Sequence, residues 1–449
     1  MIEEIVDRAA SAARELASWT GPRRRDVLHA CAAALAERAD ELVPIVAGET
    51  GLAQARLRGE LDRTTGQLRL LGDTALAEQI RRSVGVAPGG VDVLTVTVPI
   101  GPVAVFAASN FPLAFGVAGG DTGSALAAGC PVVVKAHPAQ PATGRAIAAI
   151  LSDALAGAGA PAGTFGLVEG GADVSLALVA ASPIRAVGFT GSLAGGRALL
   201  DAASRRPDPI PVYAEMGSLN PVIVLPGALT DPRWPAALAD AVTGSAGQLC
   251  TKPGLVLVPD SAEGSALGEA LANAVAERST HRMLTPAMSA AHASWLDRAA
   301  GLPDAVVTAG PATGDAPRPF AVRVPAASLR GELLEEHFGP AVVVASAPVE
   351  AYPGIVATLA GSLTATVLAD VSDESDVDTA RVLLPALAER AGRIVWNGVP
   401  TGVAVCEAMH HGGPWPATSA PWSTSVGTAA VERFRRPVAL QGLPAGLFP

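Results

Sequence analysis

The segment from Gly244 to Pro253 carries a single cysteine, Cys250, in a glycine-bearing loop that has almost no charge. A cysteine attacks carbon as the thiolate, so a nucleophilic Cys250 needs a base or backbone N–H groups beside it. A strand-like segment around Glu215 follows a hydrophobic run from Pro209. A carboxyl group buried there would hold its proton more tightly than an exposed one and would exchange it near neutral pH. These residue types predict a thiol and carboxyl pair.

A free cysteine is more commonly a small buried hydrophobic side chain than a nucleophile. The chain has four cysteines, widely separated and without a CxxC pair, so structural disulfides and zinc are both disfavoured. Cys31 lies on a predicted helix face, Cys130 between glycine and proline, and Cys406 in a late apolar stretch. We expect structural roles for those three, and we predict no metal site.

The elements that would position the pair alternate along the chain. Helical periodicity runs through residues 1–80, with a third helix predicted over Gly59–Leu71. From residue 101 short apolar runs alternate with helices, and a second alternating set spans about 217–396. Such a pattern predicts the α/β class, with parallel sheets covered on both faces that bind dinucleotides at the strand carboxyl ends. Val91–Val98 alternates as an amphipathic strand, and Ala300–Pro319 is expected to be an exposed connection.

Length and composition limit the possible functions. A chain of 449 residues is long enough for two or three domains, and 49% hydrophobic residues exclude disorder. The formal net charge of −10 and the short basic clusters disfavour a nucleic-acid surface. Asparagine, proline, aspartate and glycines interrupt the most apolar stretch, residues 100–134, so no membrane association is expected. The acidic, amphipathic first residues differ from a signal peptide and favour the cytoplasm.

Six motifs in order give the chain a resemblance to a known family. They are Ala-Ser-Asn-Phe-Pro (108–112), Val-Val-Lys (133–135), Gly-Phe-Thr-Gly-Ser (188–192), Glu-Met-Gly (215–217), Gly-Gln-Leu-Cys (247–250) and Glu-Glu-His-Phe-Gly-Pro (335–340). In this order they resemble the aldehyde dehydrogenase superfamily over nearly the whole chain. Residues 111–115 and the tail from 409 resemble most the branch that includes α-ketoglutaric semialdehyde (2,5-dioxovalerate) dehydrogenases.

The resemblance implies an architecture. It has two Rossmann-like parallel-sheet domains and a small β oligomerisation arm. By this resemblance residues 1–80 and 100–216 form the NAD(P)-binding domain and residues 217–425 the catalytic domain. Residues 81–99 and 426–449 supply the arm and the tail. A strand of this kind leaves unpaired edges, so we expect a homodimer or homotetramer.

The resemblance also implies a reaction, the NAD(P)+-dependent oxidation of a small aldehyde to a carboxylic acid. Cys250 would form a thiohemiacetal and then a thioester, and Glu215, 35 residues earlier, would activate water for its hydrolysis. Asn110 and a backbone N–H would stabilise the oxyanion. The ordinary alternatives are an inert carboxylate at a strand end and an asparagine in a turn. A dehydrogenase that transfers the acyl group to coenzyme A and a non-catalytic scaffold also remain open, although Glu215 argues against the first.

Cofactor residues follow from the same resemblance. Lys135 would hold the adenosine ribose, and Pro138 stands where many NAD-preferring relatives have a glutamate that repels a 2′-phosphate. Either NAD or NADP is therefore allowed. Gly191 and Ser192 would meet the pyrophosphate at a helix N-terminus. Glu336 would hold the nicotinamide ribose, and Phe338 would pack near the ring. A surface lysine, a glycine-rich turn and an acidic helix end are the ordinary alternatives.

The substrate prediction depends on the branch alone and is a carboxylated ω-aldehyde such as α-ketoglutaric semialdehyde. Arg63 or Gln67, on a helix that borders the substrate tunnel in relatives, would meet the carboxylate, and Phe111 would line the tunnel. His337 receives no catalytic role. The pair His410 and His411 could suggest a metal site, but adjacent histidines do not share a helix face, and we identify no acidic partner spaced to complete such a site. We interpret them as a loop that lines the substrate mouth, with Trp415 close by.

Overall fold

The computed structural model describes residues 2–77, 83–444 and 447 of the chain. The expected segments 1–80, 81–99 and 426–449 also include residues 1, 78–82, 445–446 and 448–449, which lie outside the described part. Within that part, none of the helices is both long enough and apolar enough to cross a membrane.

Helices open the chain and then alternate with strands. The helices are α1 (Ile2–Ala17), α2 (Gly21–Glu37), α3 (Ala39–Thr50), α4 (Gln54–Ala77), α5 (Gly120–Ala128), α6 (Pro141–Gly157), α7 (Ala172–Ala180), α8 (Leu193–Ser204), α9 (Arg233–Thr243), α10 (Ala262–Ala276), α11 (Pro286–Ala300), α12 (Tyr352–Thr358) and α13 (Glu374–Arg390). The strands are β1 (Ser83–Ala87), β2 (Val91–Pro99), β3 (Val103–Phe106), β4 (Val132–Lys135), β5 (Phe165–Val168), β6 (Ala186–Thr190), β7 (Val212–Glu215), β8 (Val222–Val224), β9 (Leu255–Pro259), β10 (Val306–Ala309), β11 (Phe320–Pro325), β12 (Ala341–Ala347), β13 (Ser362–Leu368), β14 (Ala391–Trp396) and β15 (Arg435–Gln441).

The first parallel sheet has five strands in the order β5-β4-β3-β6-β7. Strands β3 and β4 are apolar and buried along their whole length, because helices α2 to α6 cover one face and α1, α7 and α8 cover the other. Parallel strands end at one edge of a sheet. The carboxyl ends of β4, β6 and β7 therefore bring Lys135, Thr190 and Glu215 to the same edge.

The second sheet has seven strands in the order β10-β11-β12-β9-β8-β13-β14. All neighbours are parallel except β10, which pairs antiparallel with β11. The predicted exposed connection Ala300–Pro319 is largely exposed, but it also contains β10, an edge strand that the sequence interpretation did not predict. The sequence pattern did not indicate this strand, because β10 is short and lies between glycines and prolines.

A third, antiparallel sheet joins β1, β2 and β15 in the order β1-β2-β15. Strand β2 covers the predicted amphipathic strand, and Val84 and Val86 on β1 are strongly exposed. With two mainly parallel sheets, their covering helices and this small antiparallel sheet, the expected α/β fold class is confirmed.

Helix α4 connects the fold to the candidate site. It begins five residues before and ends six residues after the predicted range Gly59–Leu71. It packs against α2, α3 and α5, and its Glu60 accepts hydrogen bonds from the backbone N–H groups of Leu113 (2.9 Å) and Ala114 (3.0 Å). These bonds fix α4 against the turn that follows β3.

Candidate active site

Cys250 lies in a tightly held loop between α9 and β9. Ser245 and Ala246 adopt left-handed backbone angles (φ 55° and 53°), and so does Gly247 (φ 67°). A Cβ at Gly247 would lie 2.1 Å from the carbonyl of Gly339, so only glycine fits this contact. The loop leaves Cys250 half-buried, with its thiol accessible from a cavity.

A buried asparagine that the sequence interpretation missed fixes the cysteine loop. Asn220 is 1% exposed, and its Nδ2 donates to the carbonyl oxygens of Cys250 (2.8 Å) and Lys252 (2.9 Å). Its Oδ1 accepts from Ser218 Oγ (2.6 Å) and from the backbone N–H of Thr364 (3.2 Å). One side chain thus ties the loop to β13 and to the segment before β8. No spacing rule indicates such a residue, because its partners are distant in sequence.

We expect Asn220→Ala to lower the free energy of unfolding by about 3 kcal/mol and to slow alkylation of Cys250. The change leaves buried carbonyl groups without donors and loosens the loop. Urea unfolding and mass-spectrometric alkylation rates measure the two effects. Asn397→Ala is the matched control, since Asn397 also has a positive φ of 47° but bonds to Ala369 instead. Equal alkylation rates in the two variants would contradict a positioning role for Asn220.

Asn110 lies beside the same loop. Its Nδ2 donates to the carbonyl oxygen of Gln248 at 3.0 Å, and its own carbonyl accepts from Arg56 Nη2 at 2.9 Å. An amide nitrogen carries two hydrogens, so one N–H of Asn110 remains for a ligand. The side chain lines the same cavity as Cys250.

Glu215 contacts a histidine, which in turn contacts the cysteine. His411 Nδ1 lies 2.7 Å from Glu215 Oε2, and His411 Nε2 lies 3.7 Å from Cys250 Sγ. Glu215 is 7% and His411 5% exposed. The two segments meet because Met216 N–H donates to the carbonyl of Ala417 (2.8 Å) at the end of β7.

This contact overturns the expected protonation of Glu215. Burial alone raises the pKa of a carboxyl group, but the charge of His411 and hydrogen bonds from His411 and Ser425 hold the pKa of Glu215 below its ordinary value. Burial alone lowers the pKa of an imidazole, but Glu215 and Cys250 raise the pKa of His411. At neutral pH the pair is therefore a carboxylate and an imidazolium.

A cavity of about 330 Å³ brings most of the expected site residues together. Its walls include Asn110, Gly191, Ser192, Glu215, Cys250, Glu336 and Phe338. Backbone hydrogen bonding explains part of this proximity, since Gly191 N–H donates to the carbonyl of Glu215 at 3.0 Å. Ser192 Oγ caps α8 by accepting from Gly195 N–H at 3.1 Å. The cavity therefore combines a thiol, a carboxylate and a capped helix N-terminus.

Lys135 ends β4 at the same sheet edge and is buried. Burial, and then the charge of Lys135, lower the pKa of His137 to about 4, and His137 is a wall residue of the cavity. Burial also lowers the pKa of Lys135 itself, partly offset by Asp173. The lysine thus lies next to the cavity wall rather than on an open surface.

Glu336 faces the cavity with a cationic neighbour that the sequence interpretation did not consider. Lys252 is 3% exposed and donates from Nζ to the carbonyl of Ala341 at 2.8 Å. The surrounding protein desolvates both groups, raising the pKa of Glu336 and lowering that of Lys252, and their opposite charges offset part of each shift. His337 stacks on Trp295 at a centroid distance of 4.0 Å, in keeping with its lack of a catalytic assignment.

Arg63, Gln67 and Phe111 are not among the residues that line this cavity, although Arg63 interacts electrostatically with Cys250. In the described part of the chain, Arg63 Nε and Nη2 and both polar side-chain atoms of Gln67 are buried without hydrogen-bond partners. The guanidinium of Arg63 lies 5.9 Å from the ring centroid of Phe111 and 5.5 Å from that of Phe115. The Phe115 ring lies 6.2 Å from that of His411. The unpaired guanidinium of Arg63 thus lies beside two aromatic rings, one of which reaches the ring of His411.

The structure corrects our interpretation of the histidine pair. His411 does not simply line a mouth, since it bridges Glu215 and Cys250, and its acidic partner lies far away in sequence. Trp415 is 46% exposed, and its ring lies 5.7 Å from the guanidinium of Arg197 on α8. One feature of the sequence could have indicated this role. The two histidines directly precede Gly412-Gly413, and these glycines allow close contacts with other backbone segments.

Comparisons with known proteins identify the family of this chain. A model of the aldehyde dehydrogenase family matches residues 1–314. Alpha-ketoglutaric semialdehyde dehydrogenase 2 of Azospirillum brasilense is 42% identical over 470 aligned positions, covering 99% of this chain and 88% of that protein. Alpha-ketoglutaric semialdehyde dehydrogenase of Acinetobacter baylyi is 41% identical over 474 positions, with the same coverage of 99% and 88%.

Solved structures show the same fold at low sequence identity. 1-Pyrroline-5-carboxylate dehydrogenase from Thermus with bound NAD superposes with a TM-score of 0.83 at 21% identity, over 98% of this chain and 85% of that one. Aldehyde dehydrogenase 21 from Physcomitrella patens, in complex with succinate, has a TM-score of 0.83 at 20% identity, over 100% and 91%. The resemblance inferred from the six motifs is confirmed: this chain belongs to the aldehyde dehydrogenase family.

Proposed function

We propose that this aldehyde dehydrogenase oxidises a carboxylated semialdehyde, α-ketoglutaric semialdehyde (2,5-dioxopentanoate), to the dicarboxylic acid. The observation that carries the substrate proposal is the group of buried polar atoms of Arg63 and Gln67 without protein partners. Buried groups of this kind are costly unless a ligand satisfies them. The relatives of Azospirillum brasilense and Acinetobacter baylyi are named for this semialdehyde, which supports the same choice.

In this proposal Cys250 is the nucleophile. Its sulfur adds to the aldehyde carbon and forms a thiohemiacetal, whose oxygen receives hydrogen bonds from the remaining N–H of Asn110 and from backbone N–H. Loss of hydride leaves a thioester on Cys250. Glu215, ionised beside His411, then accepts the proton of the water that hydrolyses the thioester. The three residues line the same cavity, which supports their acting on one substrate.

The cavity fits a nicotinamide dinucleotide, which members of this family use as the oxidant and which supplies the hydride acceptor when bound. The capped N-terminus of α8, at Gly191 and Ser192, offers backbone N–H groups to a pyrophosphate. Glu336 presents a carboxylate for ribose hydroxyls, and Phe338 presents an apolar ring. Lys135 would hold the second ribose at the end of β4.

We further propose that the site accepts NADP+ as well as NAD+. Pro138 follows Lys135 closely and adds no negative charge that would repel a 2′-phosphate. The nearby imidazole of His137 is neutral at pH 7, since its pKa is lowered to about 4. Activity measured with each coenzyme tests this proposal, which requires turnover with both NAD+ and NADP+.

Arg63 would recognise the substrate carboxylate. Its guanidinium lies against the ring of Phe115, which in turn lies near His411 and the thiol. An aldehyde held at Cys250 would therefore extend its other end along Phe111 and Phe115 toward Arg63. Gln67, 3% exposed, could donate to the 2-oxo group. A five-carbon chain with charge only at its far end suits this arrangement.

We expect Arg63→Gln to raise KM for α-ketoglutaric semialdehyde by about 10- to 100-fold, because a charge-assisted hydrogen bond is lost. The KM for pentanal, an uncharged aldehyde of the same length, should stay within about twofold. Nicotinamide absorbance with each substrate measures the effect. Arg58→Gln is the matched control, since Arg58 lies on the same helix but is exposed and pairs with Asp40. A parallel loss for both aldehydes would contradict carboxylate recognition by Arg63.

Assembly and location stay predictions. The three-stranded sheet ends in β15, and its other edge strand carries exposed valines, so we propose that subunits associate through it as a homodimer or homotetramer. Light scattering of the purified protein measures that state. We likewise propose a cytoplasmic location.

A further inference from the structure

His411 occupies a position that the proposed roles of Cys250, Glu215 and Asn110 leave unexplained. It is 5% exposed and lies between the two reacting groups, 3.7 Å from the sulfur through Nε2 and 2.7 Å from the carboxylate through Nδ1. A buried imidazole usually contacts one polar partner through each nitrogen. Here Nε2 faces the nucleophile, while Nδ1 faces both the acid–base group and Ser425 Oγ, at 3.4 Å.

The surrounding backbone holds the imidazole in this orientation. His411 N–H donates to Thr424 Oγ1 (2.9 Å), and its carbonyl accepts from Ser425 N–H (3.0 Å). A side chain at Gly412 would collide with the carbonyl of Ser423 at 2.7 Å. The Phe115 ring lies against the imidazole from the opposite element. The ring is therefore fixed by both its own segment and the turn after β3.

We propose that His411 is the base that removes the proton of the Cys250 thiol, and that Glu215 holds the imidazole in the required tautomer and charge state. This inference depends on the proposed role of Cys250 as the nucleophile. It makes the three side chains one proton-transfer unit, in which Glu215 acts on the thiol only through His411.

The proton balance of the step is closed. The step starts from the neutral imidazole, whose Nδ1–H faces Glu215. The S–H bond of Cys250 breaks, its electron pair stays on sulfur, and an N–H bond forms at Nε2 of His411, which gives the thiolate and the imidazolium expected at neutral pH. The proton remains on His411 while sulfur bonds to the aldehyde carbon. A bound nicotinamide coenzyme would supply the acceptor for the hydride that leaves this carbon. When water hydrolyses the thioester, its proton passes to Glu215 and then to solvent, and the thiolate returns beside the imidazolium.

The charges around His411 favour this ion pair. Glu215 faces Nδ1, and beyond it lies Arg433, which pairs with Asp121 at 2.8 Å. His410 lies on the same segment. Burial lowers the pKa of His410 and the charge of His411 lowers it further, so His410 is neutral. Arg63 from α4 and Arg393 from β14 interact with the charge of Cys250. Positive groups on α4, on β14 and on the segment of His411 thus interact with Cys250.

The test is the pH dependence of Cys250 alkylation by iodoacetamide, followed by mass spectrometry of the Cys250 peptide in the protein without substrate. We expect the wild-type rate to change little between pH 6.5 and 9. His411→Gln should be about 10- to 100-fold slower at pH 6.5 and should approach the wild-type rate near pH 10, where hydroxide replaces the base. His410→Gln is the matched control for this titration, and we expect its profile to follow the wild type.

Two outcomes would overturn the proposal. One is a wild-type profile in His411→Gln. The other is a loss by the same factor at every pH, which would mean that the imidazole only shapes the loop. If His411→Gln does not fold, Glu215→Gln keeps the ring, and the proposal requires slower alkylation at pH 6.5 in that variant too. Failure of the proposed function can be told apart from failure of this inference. It would appear as retained turnover in a Cys250 variant, and this result does not depend on the pH profile of alkylation.

Discussion

Cys250→Ala should lower kcat/KM for aldehyde oxidation by on the order of 10⁴-fold or more, the scale typical of removing an enzyme's nucleophile. The reason is geometric as well as chemical. Of the four free cysteines, Cys31 and Cys130 are buried, and burial raises the pKa of each thiol, to about 12 and about 11. Neither can replace the missing sulfur. Turnover is measured by nicotinamide absorbance and coenzyme binding by calorimetry.

The binding measurement separates loss of chemistry from loss of structure. We expect Cys250→Ala to bind coenzyme with an affinity within about twofold of the wild type, because the thiol is only one part of the cavity wall. Cys406→Ala is the control, since Cys406 is exposed and lies in a late loop. Substantial turnover in Cys250→Ala would exclude the thioester route. Coenzyme binding by a wild-type protein inactive on every aldehyde would instead favour the scaffold alternative.

The second large effect is expected for Glu215→Gln, which keeps the shape of the side chain and removes its charge. Steady-state kcat should fall by about 10²- to 10⁴-fold, the usual contribution of a general base. Acylation of Cys250 needs no water, so a burst of about one reduced nicotinamide per subunit should precede the slow phase. Rapid-mixing absorbance at pH 8 measures both phases, and mass spectrometry detects the accumulated thioester.

Coenzyme A provides the contrast for this prediction. If Glu215 serves hydrolysis, the wild-type product is the free acid with or without coenzyme A, and adding coenzyme A changes neither phase. Formation of an acyl-coenzyme A product by the wild type would support the acyl-transfer alternative. A Glu215→Gln variant with normal steady-state turnover would remove the carboxylate from the mechanism altogether.

Titration adds a further constraint on Glu215. Its pKa lies below the ordinary value and that of His411 above it, so both groups are ionised across the neutral range. As pH falls through the pKa of Glu215, the carboxylate gains a proton and the base is lost. We therefore expect hydrolysis to weaken only at distinctly acidic pH, rather than near neutrality as a carboxyl group with a raised pKa would require.

Local sequence predicted much of the fold. Strand β4, Val-Val-Val-Lys, is a continuous apolar run with a polar end. Such a run is typical of a parallel strand that is covered on both faces. Helix α4 was predicted with the correct type but was too short, because its ends lack a clear capping residue or breaker. Strand β10 was missed because its Val-Val-Thr-Ala is not a continuous apolar run and lies in a segment rich in alanine, glycine and proline, a composition typical of connections.

The sequence by itself determined which residues could do chemistry. Cys250, Glu215 and Asn110 stand out through residue type and motif order, and both are properties of the chain read in one dimension. The tertiary structure alone decided how these groups are connected. His411 lies 161 residues after Cys250 and gains its role only because the segment after β14 returns to the end of β7. The protonation of Glu215 depends on that contact, since electrostatic interaction follows distance in space and not separation along the chain.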